Sequence, residues 1–184
     1  MIGFRSPIFV VLFAPLALAG CSPSLHDTIG RGDIESVRAM LAEDPGRVSD
    51  TNALGKQPLQ YAVMYAQREA MEALVEAGAD LNARDNTGMT ALHVAAMYGR
   101  KGPIRWLVSR GADALAVDDF GDRPSHLAAI YGQADAVALL HESGDDLRGR
   151  NENGMTPLDL AIKHRRTEAA DRIRALIGEA GDSP

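Results

Sequence analysis

The chain has few of the features that enzymes, nucleic-acid binders and membrane-spanning proteins rely on. Cys21 is the one cysteine among 184 residues. No intrachain disulfide can form, and no cysteine is left to complete a metal site around the histidines. There is no surplus of positive charge: 19 Lys and Arg face 25 Asp and Glu, for a formal net charge of −6. That balance argues against a groove for nucleic acid and gives no electrostatic hold on an anionic bilayer. No apolar run is long enough to span a bilayer, which takes ~20 residues as a helix. The longest, Ile8 to Ala19, is interrupted by Pro15. No phosphate loop and no serine in a nucleophile elbow is present. The five histidines, His26, His93, His126, His141 and His164, are scattered.

What the chain does have is a period. Gly55, Gly88, Gly121 and Gly154 are spaced by 33 residues, and so are Gly78, Gly111 and Gly144. Spacing this regular marks a stacked-repeat architecture. Within each period the pattern predicts two short amphipathic helices. The first starts near Pro58, Ala91, Pro124 or Pro157, where proline is tolerated because that N–H lacks a helical partner. Thr90 and Thr156 stand just before it as candidate caps. The second carries Met71, Leu74 and Val75, then Ile104, Leu107 and Val108, then Val137, Leu139 and Leu140 at helical spacing. Such helices cannot bury their apolar faces alone, so neighbouring repeats must stack.

The phrase Thr90-Ala-Leu-His-Val-Ala-Ala96 and the run Gly78-Ala-Asp-Leu-Asn-Ala-Arg-Asp85 resemble the ankyrin repeat, over roughly Pro23 to Ile177. The resemblance implies an all-α solenoid of stacked helix-turn-helix units with short hairpin fingers. It also implies that His26, His93 and His126, at one repeat position, brace the hairpins rather than bind metal or act in catalysis. There are departures. Gln60 replaces the usual histidine, Ala66 the usual glycine, and Leu115 and Arg148 replace the residue found as Asn82. Ser125 replaces a leucine and is expected to weaken local packing. The first repeat is offset by one extra residue, placed in a longer loop over Glu43 to Val48. Its polar residues Asp27, Thr28, Glu35 and Arg38 suit an outer cap, as do Glu168, Asp171, Arg172 and Arg174 in the fifth repeat. Asp119-Phe120-Gly121 and Arg31-Gly32-Asp33 match short motifs from unrelated contexts, and their repeat positions make both matches accidental.

Residues 1–20 read as a secretory signal. Arg5 precedes the apolar run, and the segment closes as Leu18-Ala19-Gly20-Cys21, which resembles the bacterial lipoprotein box. The resemblance implies cleavage before Cys21 and a lipid on its thiol. Loss of residues 1–20 removes Arg5 and shifts the balance to −7. Ser22, in place of aspartate, favours the outer over the inner membrane. The expected organisation is therefore a cleaved signal at 1–20, a repeat domain of about five repeats at 21–177, and a frayed tail at 178–184. The domain would lie close to the membrane, facing the periplasm.

No cofactor, metal or small-molecule substrate is implied, and the expectation is a non-enzymatic protein. The candidate binding face is the concave surface that the resemblance implies. The first helices end Met64-Tyr65, Met97-Tyr98 and Ile130-Tyr131, while Leu54, Met89, Phe120 and Met155 are placed at the finger tips. Tyr and Met are enriched in protein interfaces, and Met surfaces adapt to a partner. Asp85, Asp118, Asp119, Asp122 and Glu152 are expected to rim the fingers. The function that follows is recognition of a protein partner at the envelope. An immunity-type inhibitor of a periplasm-acting toxin, a structural envelope component and a metal-binding or enzymatic protein are the alternatives.

Overall fold

The computed structural model describes residues 23–178. They form ten α-helices in chain order: α1 (Leu25–Arg31), α2 (Ile34–Glu43), α3 (Pro58–Met64), α4 (Arg68–Glu76), α5 (Ala91–Met97), α6 (Lys101–Ser109), α7 (Pro124–Tyr131), α8 (Ala134–Glu142), α9 (Pro157–Lys163) and α10 (Thr167–Ile177). No strand occurs among the described residues. Isolated helices shorter than ~12–15 residues are marginal in water. Each of these persists because its neighbours bury it. The odd-numbered helices pack side by side in one layer, α1 to α9. The even-numbered helices form a second layer behind them.

Two kinds of side chain set the layer spacing. Ala62, Ala95, Ala96, Ala128, Ala129 and Ala161 are fully buried and let the first helices approach closely. Leu74, Leu107, Leu140 and Ile173, each 33 residues from the next, form a buried column through the second helices. The first helices start at 58, 91, 124 and 157, as the proline and threonine positions require.

Each repeat projects a finger built around one side chain. The Oδ1 of Asn52, Asp85, Asp118 and Asn151 accepts two backbone N–H groups of its own finger, such as those of Thr87 and Met89 for Asp85. The fingers then join in a ladder: the N–H groups of Asn86, Asp119 and Glu152 donate to the carbonyls of Leu54, Thr87 and Phe120 in the preceding finger. Gly88 sits in this turn at φ +77°. A Cβ there would lie 2.8 Å from the Asp119 backbone nitrogen that makes the ladder bond.

Several expectations change. The extra residue of the first repeat is not in an open loop: Pro45–Ser49 winds into a 3-10 turn that places Val48 in the core. Thr28 is buried rather than part of the outer cap, and its hydroxyl donates to the Ser24 carbonyl. Ser125 does not leave a packing defect. Its Oγ donates to Asp145, which is buried and also paired with Arg123. Leu147, turned into the core at φ +61°, lies beside that network. Leu158 and Ile162 make the outer face of the last repeat less polar than expected; Ile162 occupies the place of Ala96 and Ala129, and among the described residues no further repeat covers it. The signal at 1–20, Cys21 and residues 179–184 of the tail lie outside the described residues, while Gly178 caps α10 in the left-handed conformation.

Gly88→Val should destabilise the protein by roughly 3 kcal/mol, the upper end of backbone-strain costs, because it adds a backbone clash to an unfavourable φ. Chemical denaturation of the two proteins is the check. A change below ~0.5 kcal/mol, the scale of a neutral surface substitution, would show that the finger does not need this geometry.

Candidate protein-binding face

The imidazole of His93 connects two repeats. Its Nδ1 accepts the N–H of Thr90, 3.1 Å away, at the start of its own helix. The proton is therefore on Nε2, which donates to the carbonyl of Asp122 in the next finger at 3.0 Å. His126 makes the same pair of contacts, to Arg123 N–H and Met155 carbonyl. Gln60 reproduces it with an amide: Oε1 accepts from Gln57 N–H and Nε2 donates to the Met89 carbonyl. His26 reaches the Lys56 carbonyl, 30 residues on instead of 29, which accounts for the extra residue. Asp159 ends the series. It accepts from Thr156 at the start of its own helix and meets no further finger among the described residues.

Burial pushes His93 and His126 below the ordinary histidine range, against the pull of the carbonyl bonds and nearby carboxylates. Burial likewise holds Asp122 above the usual carboxylate range, partly opposed by the Asn151 side chain that donates to it. Among the described residues no group of His, Cys, Asp and Glu comes together to hold a metal. The three bracing histidines lie in separate repeats, committed to backbone.

The brace fixes where the first helices start, and the tyrosines stand at their opposite ends. Tyr65 and Tyr98 follow α3 and α5, and Tyr131 closes α7. Their exposures are 48%, 45% and 49%. Stacking of α3, α5 and α7 sets the three at successive steps of one edge. Met64, Met97 and Ile130 beside them are half-buried. The Arg100 guanidinium lies 6.0 Å from the Tyr98 ring centroid. At the fingers, Leu54 and Phe120 are exposed tips, at 63% and 58%. Met89 and Met155 are not tips: they follow the turn glycine, are half-buried, and their carbonyls receive the braces from Gln60 and His126.

The expected acidic rim is reduced to two members. Asp85, Asp118 and Asp122 are buried, because their oxygens serve finger N–H groups, Lys56 and Asn151, and only Asp119 and Glu152 are exposed. Leu115 and Val117 add exposed apolar surface at the base of the Phe120 finger. Leu115 was visible in sequence as a departure from Asn82, but nothing there marked it as exposed.

The helix pairs, braces and finger ladder define an all-α repeat solenoid. A family model described as ankyrin repeats (three copies) matches residues 25–118 and 100–180. The chain belongs to the ankyrin-repeat family. No curated protein matches it. Ankyrin repeats make it a protein–protein interaction module, and no catalytic family is indicated.

His93→Gln should keep the brace, since Gln60 already makes both bonds, and should weaken the acid sensitivity of folding. The sign follows from the depressed folded-state pKa. An unfolded histidine takes a proton below about pH 6.5 while buried His93 resists it, so stability present above that pH is lost as pH falls. His126 adds the same sign, while Asp122, which binds its proton more readily when folded, offsets part of it. Unfolding free energies measured between about pH 7.5 and 5 should fall less steeply in the variant. Equal slopes would remove His93 from the account.

Proposed function

We propose that the chain is a lipid-anchored envelope protein that recognises a periplasmic or envelope protein through its concave face. The observation that carries the binding half is the recurrence of Tyr65, Tyr98 and Tyr131, each about half exposed at the open end of a buried helix. The structure keeps large apolar groups in water there at three successive repeats, and Leu54 and Phe120 extend the surface onto the fingers. A tyrosine presents a rigid apolar face and a hydroxyl together, which suits an interface. Met64, Met97, Ile130, Met89 and Met155 lie beneath or between these groups and would shape the floor of the contact. The anchoring half rests on Leu18-Ala19-Gly20-Cys21 and on the apolar run before it. No helix of the described residues is long and apolar enough to cross a membrane, so a lipid on Cys21 is the proposed attachment. With α1 starting at Leu25, the repeats would stand close to the bilayer.

The test is affinity capture from the native envelope with the full chain, followed by titration of the captured partner. Cys21→Ser should remove the chain from the membrane fraction. Tyr98→Ala, the central member of the row, should cost ~2 kcal/mol or more of binding with little change in melting temperature. Tyr65→Ala and Tyr131→Ala should cost less. An unchanged affinity for the triple tyrosine variant would move the interface elsewhere, and membrane partitioning of Cys21→Ser in the same processed form would remove the anchor.

A further inference from the structure

The second-helix layer is not uniform. α4 and α6 pack less closely than the other neighbouring second helices. Between their starts a groove of about 410 Å³ opens, within the ~300–1,000 Å³ of small-molecule sites. Two substitutions within the repeat pattern produce it. Trp106 stands where the other repeats have Ala39, Ala73, Leu139 and Arg172, and it lines the groove. Gly102 stands where the other second helices place an acid: Glu35 in α2, Glu69 in α4, Asp135 in α8 and Glu168 in α10. A Cβ on Gly102 would meet nothing within 4 Å.

The groove has the chemistry of an amphiphile site. Met71, Pro103 and Trp106 give it apolar walls, and Arg68, Arg100 and Lys101 surround its mouth. Among the described residues no carboxylate lines it. Arg68 and Lys101 hold exposed ion pairs with Glu72 and Asp135, which are weak and exchangeable. Arg100 uses Nε for the Met64 carbonyl. Trp106 is only 6% exposed, yet its Nε1–H is the one buried side-chain polar atom among the described residues that lacks a hydrogen-bond partner. We infer that the α4–α6 groove is a binding site for a single-chain anionic amphiphile, an alkyl carboxylate being the simplest member, with the chain against Met71, Pro103 and Trp106 and the anion among the three cations. The apolar walls belong to the second helices, while Arg100 borders both this site and the tyrosine row, its guanidinium lying 6.0 Å from the Tyr98 ring centroid.

Trp106 is the chain's one tryptophan, so its emission reports on this groove alone. The full chain would be titrated with sodium decanoate below its micelle threshold, and with decanol as the uncharged control. Decanoate should give a saturable shift in Trp106 emission, and decanol should bind about tenfold or more weakly. Arg100→Gln with Lys101→Ala copies Gln133-Ala134 of the next repeat, where Gln133 makes the equivalent carbonyl bond. It should weaken decanoate by about tenfold and leave decanol unchanged. Gly102→Glu restores the acid found in the other repeats and should abolish the decanoate response while melting at the wild-type temperature. Three results would each overturn the proposal: no saturable response, decanol binding as tightly as decanoate, or either variant binding decanoate like the wild type.

Discussion

The contact on which the structure depends is a side chain that reaches from the start of one helix to the finger of the next repeat. His26, Gln60, His93 and His126 each donate to a carbonyl 29 or 30 residues further on. A seven-residue helix and a four-residue finger have little stability of their own. A buried donor and acceptor that satisfy each other across the boundary make each element a condition for its neighbour. For Gln60, His93 and His126 the same side chain also fixes the helix start, because its second atom accepts from the helix N-terminus. The fingers then join N–H to carbonyl, and the alanine column closes the first-helix layer. At Asp159 the donor is replaced by an acceptor, which takes the N–H of Thr156.

Much of this was legible in the sequence, because the constraints that fix the repeat are local and recur. The turn glycines need positive φ, the alanines need close approach, and the leucine column needs helical spacing. All three recur every 33 residues. The structural role of the bracing position was implied by the ankyrin resemblance. Most of the errors concern groups whose partners or surroundings are not adjacent in the sequence. Ser125 read as a packing loss because Asp145, which receives its hydroxyl, is 20 residues away. Asp85, Asp118 and Asp122 read as surface charge because residue type shows a carboxylate but not the backbone N–H groups turned toward it. Met89 and Met155 read as tips although the side chain follows the turn, leaving the tip to the residue at the Leu54 and Phe120 position. Trp106 and Gly102 passed unremarked, since a lone large residue at helical spacing resembles any core residue.

The two layers consequently have different chemistry. The first-helix ends carry the half-exposed tyrosines, each held by a helix that is otherwise buried, so the aromatic groups are presented without unfolding cost. The second layer is polar where most repeats repeat, and departs from its pattern only at α6. The partner proposed for the tyrosine row and the amphiphile proposed for the groove would meet at Arg100, which borders both. The boundaries that flank α3, α5 and α7 carry side-chain bridges of 29 or 30 residues, so the spacing of the tyrosines is set by the period.

The account requires that register, rather than any single repeat, hold the solenoid together. Deleting residues 85–117 removes one whole period and brings the Asp122 carbonyl to the 29-residue reach at which Gln60 normally meets Met89. Deleting residues 85–101 removes about half a period and sets the donor against the wrong part of the next repeat. Thermal melts of the two proteins are the direct measurement. The 33-residue deletion should still unfold cooperatively and at the higher temperature, although it removes more of the core. Equal or greater stability for the shorter deletion would contradict the account.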